Sequence, residues 1–382
     1  MTLSRLVAPR SLDTFLAQEW ERTPLHVARG SENYFGGLLG SEQLDELVWR
    51  DHDSWGEISL AKAGLTPQTN PFAGTPPKCE TLRQAFREGF TVVLNNVQEK
   101  NKEIGSLCRG IERQTRFRCG ANLYLTGAGC RGLNAHYDDQ DVFVLQLAGT
   151  KAWTVYPDFC RLPLEGESYE LPDLSTLRAE ELLLQPGDTL YLPRGTIHAA
   201  TATTGVSCHL TISVSVIRWV SFLQQLLVRL AGDHLALRRS LPVGLDSAAT
   251  AAVSASLGEV LRFCEPAHLD QVLADFHAAL LESLPRTLPA TNSSVGSSVE
   301  LDTPLRLCGD QILWLDTSSS KARLRFIGGN MGLTDELVKL SRPWRESSTA
   351  SPRDLPGSVG EHEKLAFARV LVDCGVLETV SA

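Results

Sequence analysis

Residues 119–216 read almost entirely in period two, and this stretch constrains the fold more than any other. Asn122, Tyr124 and Thr126 alternate with Leu123 and Leu125, so each set lies on its own face of a strand. Residues 141–147, a Gly149-Thr150 turn and residues 151–156 follow, a pattern that predicts a hairpin. Residues 181–184 enter a Gln185-Pro186-Gly187-Asp188 turn and leave as residues 189–192. The last strand, 206–216, puts Cys208, Leu210, Ile212 and Val214 on one face and His209, Thr211, Ser213 and Ser215 on the other. Short strands joined by Gly/Pro turns imply a closed or double-sheet β-barrel.

Helical patterning flanks the strands. Ser11 is positioned to cap a helix bearing Leu12, Phe15, Leu16 and Trp20, and Ser41 one bearing Leu44, Leu47 and Val48. Thr81 opens a third, with Leu82, Ala85 and Phe86, which Gly89 stops before a β-branched strand at 91–94. Beyond Arg218, Trp219, Phe222, Leu223, Leu226, Leu227 and Leu230 form one apolar stripe, and Leu269, Val272, Leu273, Phe276, Leu280 and Leu281 form a second. Residues 246–250 read as a loop between them, and 292–298 as a linker. A small terminal module follows, with strands at 311–315 and 322–327 and helices at 334–340 and 362–374. The expected boundaries are therefore 1–218, 219–290 and 291–382.

Charge and composition narrow the function. With 382 residues and 43% apolar side chains the chain can build several cores. Apolar runs such as Val142-Phe143-Val144-Leu145 fall far short of the ~18 residues a membrane span needs. The N-terminus lacks the apolar core of a secretion signal, so the expectation is a cytoplasmic protein without a membrane partner. Nine cysteines without a Cys-x-x-Cys pair argue against a disulfide framework and a cysteine-based zinc site. A net charge of −9 speaks against a partner gripped mainly through its phosphates.

Two pieces of the strand region carry chemistry. In Asn134-Ala135-His136-Tyr137-Asp138-Asp139, residues two apart point the same way, so His136 and Asp138 face inward together. Gly187, followed by Pro193-Arg194-Gly195-Thr196-Ile197-His198, delivers a second imidazole to the barrel mouth. His136, Asp138 and His198 then form a 2-His-1-carboxylate triad. Such a triad covers one face of an octahedron and leaves the other positions open, as non-haem Fe(II) oxygenases require. Tetrahedral zinc fits this set less well. Taken alone, a His-x-Asp pair usually marks a surface hydrogen bond and a lone His198 a core residue; together with the Gly-x5-Pro-x-Gly-x2-His spacing they favour the metal.

The Gly187…Pro193-x-Gly195-x2-His198 motif resembles the second signature of cupin barrels. The stretch from Asn122 through His136, Asp138 and residues 142–147 to Lys151 and Trp153 resembles the JmjC-type ribosomal oxygenases. Phe15, Trp20, Pro24-Leu25 and Tyr34-Phe35 are similar to that family's N-terminal segment, residues 238–242 to its dimerisation region, and 292 onward to its winged-helix module. The resemblance implies an α+β chain: a JmjC/cupin double-stranded β-helix barrel with helical N-terminal additions, a helical dimerisation region and a C-terminal winged-helix-like module. It implies Fe(II) held by His136, Asp138 and His198, with 2-oxoglutarate as co-substrate and dioxygen as oxidant. Lys151 matches the cation for the far carboxylate of 2-oxoglutarate, and Asn122, Tyr124 and Ser213 match residues lining that pocket. Ordinary barrel-lining polarity competes for the last three, and His209 reads as a structural histidine. Gly127-Ala128-Gly129-Cys130-Arg131-Gly132 departs from the family's proline-containing stretch, so the substrate can differ.

The activity implied is hydroxylation of a side chain, histidine before arginine, in a ribosomal protein or other peptide. Tailoring of a ribosomally made natural-product precursor peptide is the related alternative. A lysine demethylase is a second reading and a non-enzymatic nucleic-acid-binding winged-helix protein a third. The terminal module, with 10 Lys/Arg against 12 acids, lacks the basic face that direct nucleic-acid binding needs. Acids Glu165, Glu167, Glu170 and Asp173 in segment 158–180 read first as a solvated loop and second as a wall for a basic peptide. The stripe from Trp219 to Leu230 predicts a homodimer, as the resemblance does.

Overall fold

The computed structural model describes residues 2–66, 69–72, 74–157, 162–167, 169–240, 264–284, 298–308, 311–317, 321–346 and 348–380. The expected loop at 246–250, Leu241 and Pro242 of the dimerisation motif, most of the 292–298 linker and part of segment 158–180 lie outside them. The chain divides into two units, Met1–Val216 and Ile217–Ala382.

In the first unit, helices α1 (Leu3–Val7), α2 (Leu12–Gln18), α3 (Ser41–Val48), α4 (Cys79–Arg87) and α5 (Lys102–Thr115) accompany strands β1 (Leu25–Val27), β2 (Ile58–Ala61), β3 (Thr91–Leu94), β4 (Arg118–Thr126), β5 (Asp141–Ala148), β6 (Lys151–Tyr156), β7 (Glu180–Leu184), β8 (Thr189–Leu192), β9 (Ile197–Ala202) and β10 (Ser207–Ser215). A seven-stranded sheet runs β1-β8-β5-β10-β4-β3-β2, and a three-stranded sheet runs β7-β6-β9. The two sheets and the added helices agree with the expected double-stranded β-helix barrel. Its central seam is β10, antiparallel to β4 over nine residue pairs from Ser207↔Thr126 to Ser215↔Arg118, and to β5 on its other side. One face of β10 supplies Cys208, Leu210, Ile212 and Val214 to a core shared with Phe143, Leu145, Leu123 and the α5 residues Ile104, Leu107 and Ile111.

Three local expectations are corrected. β5 and β6 are not a hairpin: β5 pairs with β10 and β8, whereas β6 pairs with β7 and β9 in the other sheet. The Gly149 turn carries the chain between sheets. Its φ of +60° is left-handed, and a Cβ there would meet the Val206 carbonyl oxygen at 2.1 Å. α3 is capped by Gly40, whose N–H is accepted by Gln43 Oε1 at 3.1 Å, so Ser41 is its first residue and not its cap. α4 begins two residues before Thr81, because the Asp51 carboxylate accepts the Cys79 N–H at 3.0 Å. Ser11 does cap α2, through the Thr14 N–H. Sequence patterning named no helix at α5, although Asn101 caps it.

The second unit pairs α6 (Trp219–Asp233) with α7 (Pro266–Ser283). Leu226, Leu230 and Val272 are buried between them, with Phe222 stacked on Phe276. Strands β11 (Leu305–Leu307) and β15 (Leu377–Thr379) form one ladder, and β12 (Leu313–Asp316), β13 (Arg323–Phe326) and β14 (Gly329–Gly332) form another. Helices α8 (Asp335–Leu340), α9 (Arg342–Arg345) and α10 (Glu361–Asp373) cover a core of Leu324, Leu340, Trp344, Phe367 and Leu371. Among the described residues no helix is long and apolar enough to cross a membrane.

Gly149→Ala should lower unfolding stability by about 1–3 kcal/mol, since it combines a left-handed φ with a backbone clash. Equilibrium denaturation checks this; an unchanged midpoint would show that the crossover turn relaxes freely.

Candidate metal centre and cavity

The site forms where the His-x-Asp segment meets the start of β9. His136 N–H donates to the His198 carbonyl at 3.1 Å, and His198 N–H donates back to the His136 carbonyl at 2.8 Å. The Gly195 N–H donates to the Asp138 carbonyl at 2.8 Å. Two imidazoles and a carboxylate from segments some 60 residues apart are thereby fixed in register. One donor atom from each of His136, Asp138 and His198 lies within 4.8 Å of the others. Asp138 Oδ1 is 3.9 Å from His136 Nε2, and Oδ2 is 3.7 Å from His198 Nε2.

Hydrogen bonding settles which ring nitrogens face the shared point. His136 Nδ1 lies 2.8 Å from the Asn134 carbonyl and His198 Nδ1 lies 3.0 Å from that of Thr196. A carbonyl only accepts, so each Nδ1 carries a proton and each Nε2 is the nitrogen turned to the carboxylate. Burial, reinforced by His136, lowers His198 to about 4, which keeps it the neutral imidazole a metal needs.

Behind the triad is a cavity of about 180 Å³, lined by Tyr124, Asp138, His136, His198, Lys151, His209, Thr91 and Thr211, with Val142, Val144, Trp153, Leu133 and Ala200 as apolar walls. Lys151, at the start of β6, is 3% exposed. Its ammonium donates to Thr126 Oγ1 at 3.1 Å and lies 3.4 Å from His209 Nδ1. Among the described residues no carboxylate pairs with it, and burial lowers it to about 8. A buried cation without an acid is costly, so this end of the cavity favours an anion. Burial pushes the Tyr124 hydroxyl up to about 12, with Asp138 adding to the shift, so it stays protonated. Its ring stacks on His209 at 4.7 Å.

The structure thus brings together five of the seven residues singled out in sequence. Asn122 and Ser213 do not line the cavity: Asn122 Oδ1 accepts the Asn96 N–H at 3.0 Å, and Ser213 Oγ donates to the Gly120 carbonyl at 3.4 Å. Both share a face with cavity residues but sit farther along their strands. His209, read as structural, is a wall of the cavity, and Thr126 and Trp153 were not singled out. Period two was the available signal, since Thr126 shares the Tyr124 face and Trp153 the Lys151 face.

A wider groove of about 590 Å³ shares Gly132, Leu133 and His136 with the cavity and continues over Trp55, Leu60, Leu65 and Phe90. Glu165, Glu167, Glu170 and Asp173 are exposed, as a solvated loop requires. Within the same segment, Tyr169 stacks on Tyr137 at 4.0 Å and donates its N–H to the Tyr137 oxygen at 2.8 Å.

Residues 93–221 match the family model described as the JmjC domain. A relative from Drosophila persimilis, "Bifunctional lysine-specific demethylase and histidyl-hydroxylase NO66", is 30% identical over 259 residues, covering 64% of this chain and 36% of its own. Mouse "Ribosomal oxygenase 2" is 33% identical over 220 residues, covering 54% of this chain and 46% of its own. The chain spans less than half the length of these two relatives. Among solved structures, "Structure of YcfD a Ribosomal oxygenase from Escherichia coli in complex with Cobalt and 2-oxoglutarate" superposes with a TM-score of 0.56 at 15% identity, covering 97% of this chain and 98% of that one. At that identity the likeness establishes the fold.

Proposed function

We propose that this chain, which carries a JmjC domain over residues 93–221, is an Fe(II)- and 2-oxoglutarate-dependent oxygenase that hydroxylates a side chain, histidine in preference to arginine, of a ribosomal protein or other peptide. One observation carries the reading: a 2-His-1-carboxylate cluster opens onto a cavity whose far end holds a buried, acid-free lysine. Two imidazoles and one carboxylate suit Fe(II) and leave coordination positions for substrates. His136, Asp138 and His198 would hold the metal. The printed names of the relatives support an oxygenase, and histidyl-hydroxylase among them supports histidine. Cobalt with 2-oxoglutarate in the bacterial structure's title supports the cofactor pair.

When bound, the iron with 2-oxoglutarate and dioxygen supplies the oxidising power; the chain supplies placement. Lys151 and the Tyr124 hydroxyl receive the far carboxylate of the co-substrate, replacing the water that a buried anion loses. Val142, Val144, Trp153 and Ala200 exclude water from the dicarboxylate's carbon chain. Asn134 and Thr196 carbonyls hold the two imidazoles in the ligating tautomer. Residues of the substrate flanking the target fit the adjoining apolar groove, which begins at His136. The name of the fly relative also supports a lysine demethylase as a second reading, which formaldehyde release from methylated peptides would reveal. The printed ribosomal oxygenase names support a ribosomal protein ahead of a natural-product precursor peptide.

In the second unit, Trp219, Leu223, Leu227 and Val228 of α6 are exposed although apolar, which supports the homodimer expected from the stripe. Light scattering at micromolar protein should give twice the chain mass; a monomer mass removes the dimer. The C-terminal sheets and helices are read as a winged-helix-like, protein-docking module, its −2 balance opposing nucleic acid.

The Lys151 ammonium is charged below its pKa of about 8 and neutral above it. The kcat/KM for 2-oxoglutarate, which reports the free enzyme, should therefore fall as pH rises through about 8. Lys151→Arg, charged throughout, should flatten that limb; a limb unchanged by the substitution assigns it elsewhere. Intact-protein mass spectrometry of ribosomes tests the substrate class. Cells lacking the gene should show one ribosomal protein lighter by the mass of one oxygen atom, restored with the gene, and identical masses would remove ribosomal proteins as the target.

A further inference from the structure

The turn that carries His198 is held from outside the triad by a buried ion network. Arg194 is 6% exposed, and its Nη1 donates to Asp141 Oδ2 at 2.8 Å and also to Glu21. The fully buried Tyr191 donates its hydroxyl to Asp141 Oδ1 at 2.7 Å and accepts the Glu21 N–H at 2.9 Å. Glu21 has a φ of +56°, a region that favours glycine, and follows Trp20, which stacks on Tyr191 at 5.7 Å. A segment 170 residues away in sequence is thus seated on the Pro193-Arg194-Gly195-Thr196 turn.

That turn touches two of the three donors. Gly195 N–H binds the Asp138 carbonyl, and the Thr196 carbonyl accepts from His198 Nδ1. Asp141 lies three residues past Asp138, so the Arg194–Asp141 pair ties the same two segments a second time. Two attachments remove the rotation that one hydrogen bond leaves. Buried ion networks add little net stability over apolar packing, and their geometric demand is better suited to fixing register.

We propose that Arg194, clamped between Asp141 and Glu21, is a positioning residue that sets the relative placement of Asp138 and His198, which makes the N-terminal segment part of the metal centre's support. The inference rests on the metal reading above. It predicts a specific loss of metal affinity beyond any loss of stability. Co(II) titration of the full chain, followed by its visible spectrum and paired with apo melting temperature, tests it. Arg194→Met should weaken Co(II) binding by about 10- to 100-fold and alter the spectrum. Leu107→Ala, in the core on α5, should lower the melting temperature while leaving both unchanged. Glu21→Ala, whose side chain is about one-third exposed, should shift affinity in the same direction and carries the test should Arg194→Met not fold. Wild-type affinity and spectrum in the arginine variant, or in the glutamate variant alone, overturn the clamp while leaving the metal reading intact. Wild-type protein that binds no Co(II) overturns that reading and the clamp with it.

Discussion

The reciprocal pair of backbone hydrogen bonds between His136 and His198 is the constraint on which the rest depends. It is an isolated bridge of one residue pair, yet it stitches the loop after β4 to the start of β9. Backbone bonds of this kind fix direction as well as distance, so the two imidazoles emerge side by side, 4.4 Å between ring centroids. Asp138 joins them because period two returns it to the His136 face. Everything chemical about the cavity follows from that register: slip it by one residue and Tyr137 and Asp139 would take the ligand positions.

The barrel turns this register into a pocket by dividing its strands between two sheets. Each of the turns at Gly149 and Gly187 sends the chain across, so β5 and β6 face one another and do not pair. Lys151 begins β6 immediately after the first crossing and reaches inward beneath the triad. Among the described residues its ammonium meets dipoles, Thr126 Oγ1 and His209 Nδ1, and no carboxylate. Such an arrangement is poor for an empty protein and suitable for one that spends its working time with a carboxylate in place.

Much of this was legible in sequence, and the failures have specific causes. His136, Asp138 and His198 were readable because a two-residue spacing and a Gly/Pro turn ahead of a short strand each set a direction. Asn122 and Ser213 lie off the cavity lining because period two gives the face of a strand but not the depth along it. Their side chains bond to Asn96 and Gly120, beyond the cavity's end. The β5–β6 hairpin was misread because a turn's residues report its curvature and not which sheet receives the next strand. α4 starts early because its cap, Asp51, is supplied from 28 positions away. α5 is different: Asn101 and the apolar positions 104, 107, 108 and 111 spell a helix, but Gly105 and Gly110 lower its propensity. Gly105 is there because a Cβ would meet the Gln98 carbonyl at 2.8 Å.

The central proposal is that three side chains share one ion above a lysine that receives a carboxylate. Crystals grown anaerobically with Mn(II) and 2-oxoglutarate, measured for anomalous scattering, examine this most directly. The account predicts one strong anomalous peak bounded by both Nε2 atoms and the Asp138 carboxylate, with a dicarboxylate running from it to Lys151 Nζ. Manganese bound elsewhere, or a triad that stays empty while the ion and co-substrate are in excess, would contradict it.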